Sequence, residues 1–317
     1  MSAAALAHDW HADRLRQRLL PLLALRSSSL NRSLSVEVLA SCTSTNTLLI
    51  ERARQAGGDF APCLLVAEQQ TAGRGRLGRS WLSAAGASLT FSIALPLAPR
   101  NWSGLSLAVG LALAEALDPL PESTPNVPAR PRIMLKWPND LWLADATGLV
   151  RPQKIVSGRK LGGVLVETLS AGDQRICVVG VGLNILPLPQ SAHEQAAGLT
   201  SGYACLQELQ PALRAPEVLA AVALPVMQAL CAFEAAGFAP RVEAYAARDL
   251  LRGQPVGTSL PQWPAGVAEG VDAAGALVLR VGSERQRIVS GEVSVRPAER
   301  AGERAEKGVA TQGAAAA

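Results

Sequence analysis

The sequence contains few of the residues on which histidine-dependent catalysis relies. Only three of its 317 residues are histidine: His8 and His11 lie near the N-terminus, and His193 lies in a stretch typical of a loop. The sequence also lacks the segments G-x-x-x-x-G-K-[ST] and G-x-S-x-G, which indicate a phosphate-binding loop and a serine nucleophile. An enzyme of this composition must therefore rely on cations, backbone amides and the positioning of its substrates.

Cysteine is scarce and scattered. The five cysteines are odd in number and include no C-x-x-C pair; they are Cys42, Cys63, Cys177, Cys205 and Cys231. This spacing argues against a disulfide framework and a zinc site, and favours a reducing compartment such as the cytoplasm. We expect most of these cysteines to be small buried hydrophobic residues.

The sequence also lacks long uninterrupted apolar runs and the features of a signal peptide. The apolar segments Leu19–Leu25 and Leu105–Leu117 are too short or too interrupted to span a bilayer. The first twenty residues contain acids and arginines where a signal peptide requires an apolar core. We therefore predict a cytoplasmic protein with no membrane partner.

Aromatic residues make up only 4% of the chain, and the formal net charge is a modest +4. Proteins that bind nucleic acid generally concentrate positive charge on one face and stack bases on aromatic rings. A nucleic-acid partner is therefore not expected, although one short arginine-rich stretch keeps that alternative open. Hydrophobic residues reach 49%, enough to form a packed core.

The pattern of strands and helices predicts an α+β fold with a mixed, largely antiparallel sheet. Residues 9–26 have the periodicity of an amphipathic helix. His8 and His11 could share a metal, but no third ligand is evident nearby, so we interpret residues 8–11 as part of a solvated N-terminal arm. The expected domains are an N-terminal extension (1–35), a catalytic domain (36–250), a small C-terminal β-barrel (251–298) and a disordered tail (299–317).

A glycine- and arginine-rich loop, GRGRLGR (Gly73–Arg79), lies between two predicted strands. Its glycines make the backbone easy to bend, and its arginines offer bidentate hydrogen bonds to phosphate or carboxylate. A solvated basic surface loop remains the alternative.

Four further segments carry candidate site residues. Ser44, Thr45 and Asn46 precede a predicted helix, where they either cap it or bind a polar ligand. The segment KWPND (136–140) predicts a hairpin turn, in which Lys136 could point inward and Asp140 could hold Mg²⁺. In RKLGGVLVE (159–167), a lysine precedes two glycines that allow close approach to a ligand. GVGLN (180–184) is an incomplete dinucleotide fingerprint, and we reject a Rossmann fold.

Taken together and in order, the segments TSTN, AEQQTAGRGRLGRSW, LKWPNDLW, KLGGVLVE, VGVGLN and GEVSVRP closely resemble biotin protein ligases (biotin–acetyl-CoA-carboxylase ligases) over residues 36–298. The resemblance implies a class II synthetase-like catalytic domain and an SH3-like barrel. It also implies two reaction steps: activation of biotin by ATP to biotinyl-5′-AMP, and transfer of biotin to one lysine of a biotin carboxyl carrier domain. No enzyme nucleophile is needed.

The resemblance further implies roles for individual residues. Arg74, Arg76 and Lys160 would be catalytic. Biotin would be bound by Ser44, Thr45, Asn46, Gln70, Arg74, Gly75, Arg76, Lys160 and Gly163. The nucleotide would be bound by Arg76, Trp81, Lys136, Asn139, Asn184 and Tyr203, with Mg²⁺ at Asp140 and a mobile segment, Leu186–Gly202, as cover.

The sequence also departs from some members of that family. Only about 35 residues precede the first core strand, too few for the DNA-binding module that some members carry, so we expect no operator binding. The loops Pro119–Arg132 and Ala144–Arg159 are longer than a minimal member needs. A monomer or weak homodimer is expected. The main rival interpretation is a lipoate or octanoate ligase or transferase of the same fold.

Overall fold

A computed structural model of the chain describes residues 8–24, 34–120, 131–145, 158–188, 202–289 and 295–297. Five helices occur in this part: α1 (Ala12–Ala24), α2 (Thr45–Ala56), α3 (Leu105–Leu117), α4 (Ala215–Ala236) and α5 (Val242–Ala246). The first seven strands are β1 (Ser35–Cys42), β2 (Cys63–Gln70), β3 (Ser88–Pro96), β4 (Ile133–Lys136), β5 (Asp140–Ala144), β6 (Gly158–Ala171) and β7 (Gln174–Asn184). The last five are β8 (Pro255–Thr258), β9 (Ala265–Val271), β10 (Leu277–Val281), β11 (Glu284–Ile288) and β12 (Val295–Pro297).

The first seven strands form one mixed sheet in the order β1-β2-β3-β7-β6-β5-β4. Strands β1 and β2 are parallel, and every other pair of neighbours is antiparallel. The predicted α+β fold with a largely antiparallel sheet is therefore confirmed.

Helices cover both faces of this sheet. Helices α1, α3 and α4 pack on one face, where their leucines share a core with Val179 and Val181 of β7. Helix α2 packs on the other face, where Leu49 and Ala53 contact Val178. The alternation of β7 residues between two cores follows from the period of two in a strand. Beyond the N-terminus of α2, the second face remains open.

The C-terminal strands form a separate antiparallel sheet in the order β11-β10-β9-β8-β12, as expected for the small β module. Its buried residues, such as Leu277 and Leu279, belong to the same continuous core as helices α1, α3 and α4. Trp137 joins the two sheets, because its fully buried indole donates a hydrogen bond from Nε1 to the carbonyl of Gly275 at 3.2 Å.

The interpretation of the N-terminal segment as a solvated arm is wrong. His8 and His11 are exposed as expected, but Trp10, Leu15, Leu19 and Leu23 are buried in the main core. Leucines four positions apart lie on one face of a helix, and that face packs against α4 and β1.

Helix α4 has the length and apolar composition of a membrane-spanning segment, and it is not one of the apolar segments considered above. Core helices of soluble proteins pass the same test. Half of its most apolar window is buried, and the helix packs against α3 and α1. The structure therefore accounts for its apolar residues by packing within the core.

Candidate functional site

A cavity of about 670 Å³ opens on the α2 face of the large sheet. All fifteen residues that the sequence analysis proposed for the site line it: Ser44, Thr45, Asn46, Gln70, Arg74, Gly75, Arg76, Trp81, Lys136, Asn139, Asp140, Lys160, Gly163, Asn184 and Tyr203. A volume of this size is in the usual range for ligand sites. The individual roles of these fifteen residues remain predictions.

Glycines form the floor of the cavity. A side chain on Gly180 would place its Cβ 2.3 Å from Oδ1 of Asn46, and one on Gly182 would place it 2.4 Å from the Trp81 ring. Gly163, opposite Gly182 in the neighbouring strand, lies under Asp140 and Lys160. The segment GVGLN, for which we rejected a dinucleotide fingerprint, is therefore part of a strand in which Val181 and Leu183 face the core and the glycines make room for the site.

The N-terminus of α2 supplies a buried polar group at the cavity wall. Ser44 caps the helix by accepting a hydrogen bond from the amide of Thr47. Ser44 also lines the cavity, so it has both of the positions that the sequence left open as alternatives. Ser44, Thr45 and Asn46 are each only 3% exposed. Gln70 Oε1 accepts a hydrogen bond from the Thr45 amide at 2.7 Å. These buried polar side chains are hydrogen-bonded within the protein, as buried polar groups usually are.

The glycine- and arginine-rich loop forms a small hairpin over the cavity. Its ends are tied by the hydrogen bond from the Trp81 amide to the Gly73 carbonyl (2.8 Å), and its tip by that from the Gly75 amide to the Arg79 carbonyl (2.7 Å). Leu77 at the tip is 48% exposed and has a φ of 57°, a left-handed conformation that is uncommon for leucine. The tip is therefore a strained, exposed turn.

The loop arginines reach opposite walls of the cavity. Arg74 Nη2 lies 2.9 Å from Oε1 of Glu167 on β6. Arg76 Nη1 donates to Oδ1 of Asn139 at 3.4 Å, and burial lowers the pKa of the Arg76 guanidinium below its usual value. A partly desolvated cation of this kind interacts strongly with an anionic ligand.

The KWPND segment forms the predicted hairpin turn and lines the cavity at the same time. The Asn139 side chain donates to the Val164 carbonyl at 2.8 Å, and the Asn139 carbonyl accepts from the Val164 amide at 2.9 Å. Ser106 on α3 holds the Pro138 carbonyl at 2.9 Å. Lys136 Nζ lies 5.4 Å from the centre of the Trp142 ring. The turn is therefore fixed from several sides.

Lys160 lines the cavity between Asp140 and Trp81. Its Nζ lies 2.7 Å from Oδ1 of Asp140 and 5.8 Å from the centre of the Trp81 ring. The Asn184 side-chain nitrogen donates to the carbonyls of Lys160 and Ala204, an arrangement that positions the backbone. Tyr203 donates from its hydroxyl to the Leu186 carbonyl at 2.7 Å, and burial raises its pKa. Most of the proposed cover, residues 189–201, lies outside the described residues.

The cavity is strongly cationic. Among the described residues that line it, five are cations (Arg74, Arg76, Arg79, Lys136 and Lys160) and one is a carboxylate (Asp140). The described ranges contain no group of three or more metal-ligating side chains. The ligand that suits these walls is therefore an anion.

Two polar residues at the site were not found from the sequence. Ser92 Oγ lies 2.6 Å from both Thr45 Oγ1 and Asn46 Oδ1, and Glu167 contacts both Arg74 and Asn46. Both residues lie in β-strands at positions facing the cavity side of the sheet. The period of two in a strand is the one signal that could have found them, but it does not identify their partners.

Comparison with known proteins gives a consistent result. Residues 38–184 match the biotin/lipoate A/B protein ligase family, and residues 264–296 match the biotin protein ligase C-terminal domain. The chain is 33% identical over 271 residues to the bifunctional ligase/repressor BirA of Escherichia coli, covering 84% of this chain and 75% of that protein.

Two further relatives match this chain over most or all of their own length. The biotin–[acetyl-CoA-carboxylase] ligase of Mycobacterium tuberculosis is 33% identical, over 81% of this chain and 88% of the relative. A solved structure of the biotin protein ligase from Aquifex aeolicus in complex with biotin and ATP is 28% identical, with a TM-score of 0.61, and covers 84% of this chain and all of the other.

Proposed function

Because this chain belongs to the biotin protein ligases of the biotin/lipoate A/B protein ligase family, we propose that it activates biotin with ATP and transfers it to a lysine of a biotin carboxyl carrier domain, as a biotin–[acetyl-CoA-carboxylase] ligase does. The observation that carries the proposal is a single cavity that joins a buried polar wall (Ser44, Thr45, Asn46) to a cationic one (Arg74, Arg76, Lys160). Biotin has a polar ureido ring at one end and a carboxylate at the other, so it matches both walls.

In the first step, a biotin carboxylate oxygen attacks the α-phosphorus of ATP and pyrophosphate leaves with the electrons of the broken P–O bond. Arg76 and Lys160 stabilise the charge that develops on the phosphoryl oxygens, and Arg74 holds the carboxylate. Lys160 exchanges its contact with Asp140 for the ligand. Positioning and charge suffice for this step, which agrees with the lack of a histidine or serine nucleophile.

In the second step, the ε-amine of the acceptor lysine attacks the acyl carbon of biotinyl-5′-AMP, AMP leaves, and the amine loses a proton. The Gly73–Arg79 hairpin, with Trp81 at its base, covers the mixed anhydride and excludes water. Lys136, Asn139, Asn184 and Tyr203 form the nucleotide end of the cavity, and Gly75 and Gly163 let the backbone approach the ligand.

Magnesium is proposed to arrive with ATP. Among the described lining residues, Asp140 is the one carboxylate available to it, and Lys160 already contacts one of its oxygens. A single carboxylate is sufficient when phosphates and waters supply the other ligands. No step above depends on a metal held by the protein alone.

The cellular setting completes the proposal. We propose a cytoplasmic enzyme, a monomer or weak homodimer, with no nucleic-acid or membrane partner. The Mycobacterium tuberculosis relative and the Aquifex aeolicus structure are named as biotin ligases, and residues 264–296 match the biotin protein ligase C-terminal domain. The lipoate or octanoate alternative is therefore not favoured.

Transfer to a carrier domain tests this function. The protein is incubated with ATP, biotin and a purified biotin carboxyl carrier domain, and the carrier is analysed by mass spectrometry. We expect one biotin on one lysine, and none when that lysine is replaced by arginine. Lipoylation of a lipoyl domain, with no biotinylation of the carrier, would overturn the proposal.

A further inference from the structure

Glu167 on β6 joins two parts of the site that are far apart in the sequence. Its Oε1 lies 2.9 Å from Nη2 of Arg74, and its Oε2 accepts a hydrogen bond from Nδ2 of Asn46 at 2.9 Å. The Glu167 side chain is 23% exposed, and Asn46 is buried. One carboxylate therefore bridges the start of α2 and the arginine-rich loop.

The contact with Asn46 fixes the direction of a buried chain of hydrogen bonds. A carboxylate only accepts, so Asn46 must present its nitrogen to Glu167 and its oxygen to Ser92. Ser92 then donates its single proton to Asn46 Oδ1 at 2.6 Å. Thr45 Oγ1 lies 2.6 Å from Ser92 Oγ and 3.1 Å from Gln70 Oε1, so the hydroxyl of Thr45 belongs to the same hydrogen-bonded group. Glu167 thus helps to fix the orientation of the Asn46 amide in the polar wall.

The contact with Arg74 has a different character. The Arg74 side chain is 49% exposed, and ion pairs that are this accessible to water are weak. Arg74 also approaches Thr47 Oγ1 at 3.4 Å. A weak ion pair can hold the guanidinium near the ligand site without preventing its transfer to a carboxylate or phosphate.

We propose that Glu167 is a positioning residue that couples the polar wall to the arginine-rich loop: it orients the Asn46 amide and holds Arg74 until an anionic ligand takes its place. This inference rests on the proposed function, because Asn46 and Arg74 are taken as the biotin-binding groups. Glu167 itself is not among the described residues that line the cavity.

Two substitutions separate its two contacts. Glu167→Gln keeps an oxygen that accepts from Asn46 but removes the charge opposite Arg74. Glu167→Ala removes both contacts. We expect Glu167→Ala to raise the KM for biotin by roughly tenfold or more, the usual effect of losing a hydrogen bond to a charged group, with a much smaller change in kcat. Glu167→Gln should raise that KM only slightly.

Limited trypsin digestion in the absence of biotin tests the contact between Glu167 and Arg74. Cleavage after Arg74, Arg76 and Arg79 should be severalfold faster in Glu167→Gln than in wild type, because the loop is no longer held. In an Arg74→Ala background, Glu167→Gln should leave cleavage after Arg76 and Arg79 unchanged, since a shared contact gives non-additive effects. Glu269→Gln is the matched control, since Glu269 is also paired with arginine and is 24% exposed, but lies in the C-terminal sheet.

Wild-type values of both the KM for biotin and the cleavage rate in the two variants would overturn the inference. So would an effect of Glu167→Gln that persists in full without Arg74. If Glu167→Ala does not fold, the near-isosteric Glu167→Gln variant and its trypsin cleavage pattern still test the inference. A wild-type protein that forms no biotinyl-5′-AMP would instead contradict the proposed function, because the trypsin comparison uses no biotin.

Discussion

At the scale of single residues, Gly182 determines where Trp81 lies. A Cβ at this position would be 2.4 Å from the Trp81 ring, and it could not be accommodated unless the ring moved. We expect Gly182→Ala to displace Trp81 and the loop that follows Gly73, and to raise the KM values for biotin and ATP by at least roughly tenfold, the equivalent of about 1.4 kcal/mol. Steady-state kinetics of AMP formation measure this.

Gly58→Ala is the control for that substitution. Gly58 has open space around its missing side chain and a backbone conformation that alanine can adopt. It should therefore keep wild-type KM values. Equal KM values in both alanine variants and the wild type would contradict the role assigned to the cavity floor.

Asp249 is the residue from which we expect the clearest effect of pH on the stability of the fold. Burial raises the pKa of its carboxyl to about 6 from the usual 3.8, although Arg252 opposes this effect. The folded state binds the proton more tightly than the unfolded state, so Asp249 stabilises the fold below pH 3.8, and this stabilisation is lost as the pH rises through about 6.

Asp249→Asn should therefore match the wild type in stability near pH 4 and exceed it at pH 8, by up to about 3 kcal/mol if the full pKa difference is expressed. The variant keeps the oxygen that accepts from the Leu251 amide at 2.9 Å. Urea denaturation at both pH values measures the difference. Parallel pH profiles of the two proteins would show that the carboxyl is not desolvated as described.

At the scale of elements, α1 belongs with the catalytic core. Leu19 is fully buried, and α1 packs on α4 and β1. We expect Leu19→Ala to lower the free energy of unfolding by about 2–5 kcal/mol, the usual cost of such a cavity. Gln17→Ala, on the exposed face of the same helix, should change it by no more than about 0.5 kcal/mol. A small effect of Leu19→Ala would restore the interpretation of a loosely attached arm.

The sequence was most informative where a local pattern determines an element. The alternation and punctuation around KWPND predicted the β4–β5 hairpin, and the Ser44 cap predicted the start of α2, because turns and caps depend on neighbouring residues. The amphipathic pattern of α1 was also visible. Its packing partner, the face of α4, could not be predicted, because periodicity identifies a buried face but not what covers it.

The missed site residues were missed for the same reason. Glu167 contacts Arg74 and Asn46, which precede it by 93 and 121 positions in the sequence. Ser92 contacts Asn46 and Thr45, which precede it by 46 and 47 positions. No local pattern specifies such contacts. The arginines, glycines and lysine of the site were found because their motifs resemble those of the biotin protein ligases.

At the scale of the whole molecule, Trp137 connects the C-terminal sheet to the site. It directly precedes Pro138, Asn139 and Asp140 at the cavity wall and donates to Gly275 in the β9–β10 turn. Trp137→Phe leaves the Gly275 carbonyl buried without this donor, which costs about 1–3 kcal/mol. We expect a lower Tm and a KM for ATP that rises more than the KM for biotin, since Asn139 belongs to the proposed nucleotide end.

Trp142→Phe serves as the comparison for stability. Trp142 lies on the same hairpin, and its indole nitrogen is buried without a hydrogen bond to the described residues. The same change of ring there removes no hydrogen bond, so the Tm should fall less. Equal falls in the two variants would mean that the Trp137–Gly275 contact contributes nothing specific.

Biotin-dependent exchange between ATP and labelled pyrophosphate tests the account most directly, because it isolates the activation step at this cavity. We predict exchange by the wild type with biotin and none with lipoate. Arg76→Ala and Lys160→Ala should each reduce it by about a hundredfold or more, the order expected when a group that stabilises transition-state charge is removed. Arg214→Ala, an exposed residue outside the cavity, should keep the wild-type rate. Exchange that depends on lipoate, or undiminished exchange in both cavity variants, would contradict the account.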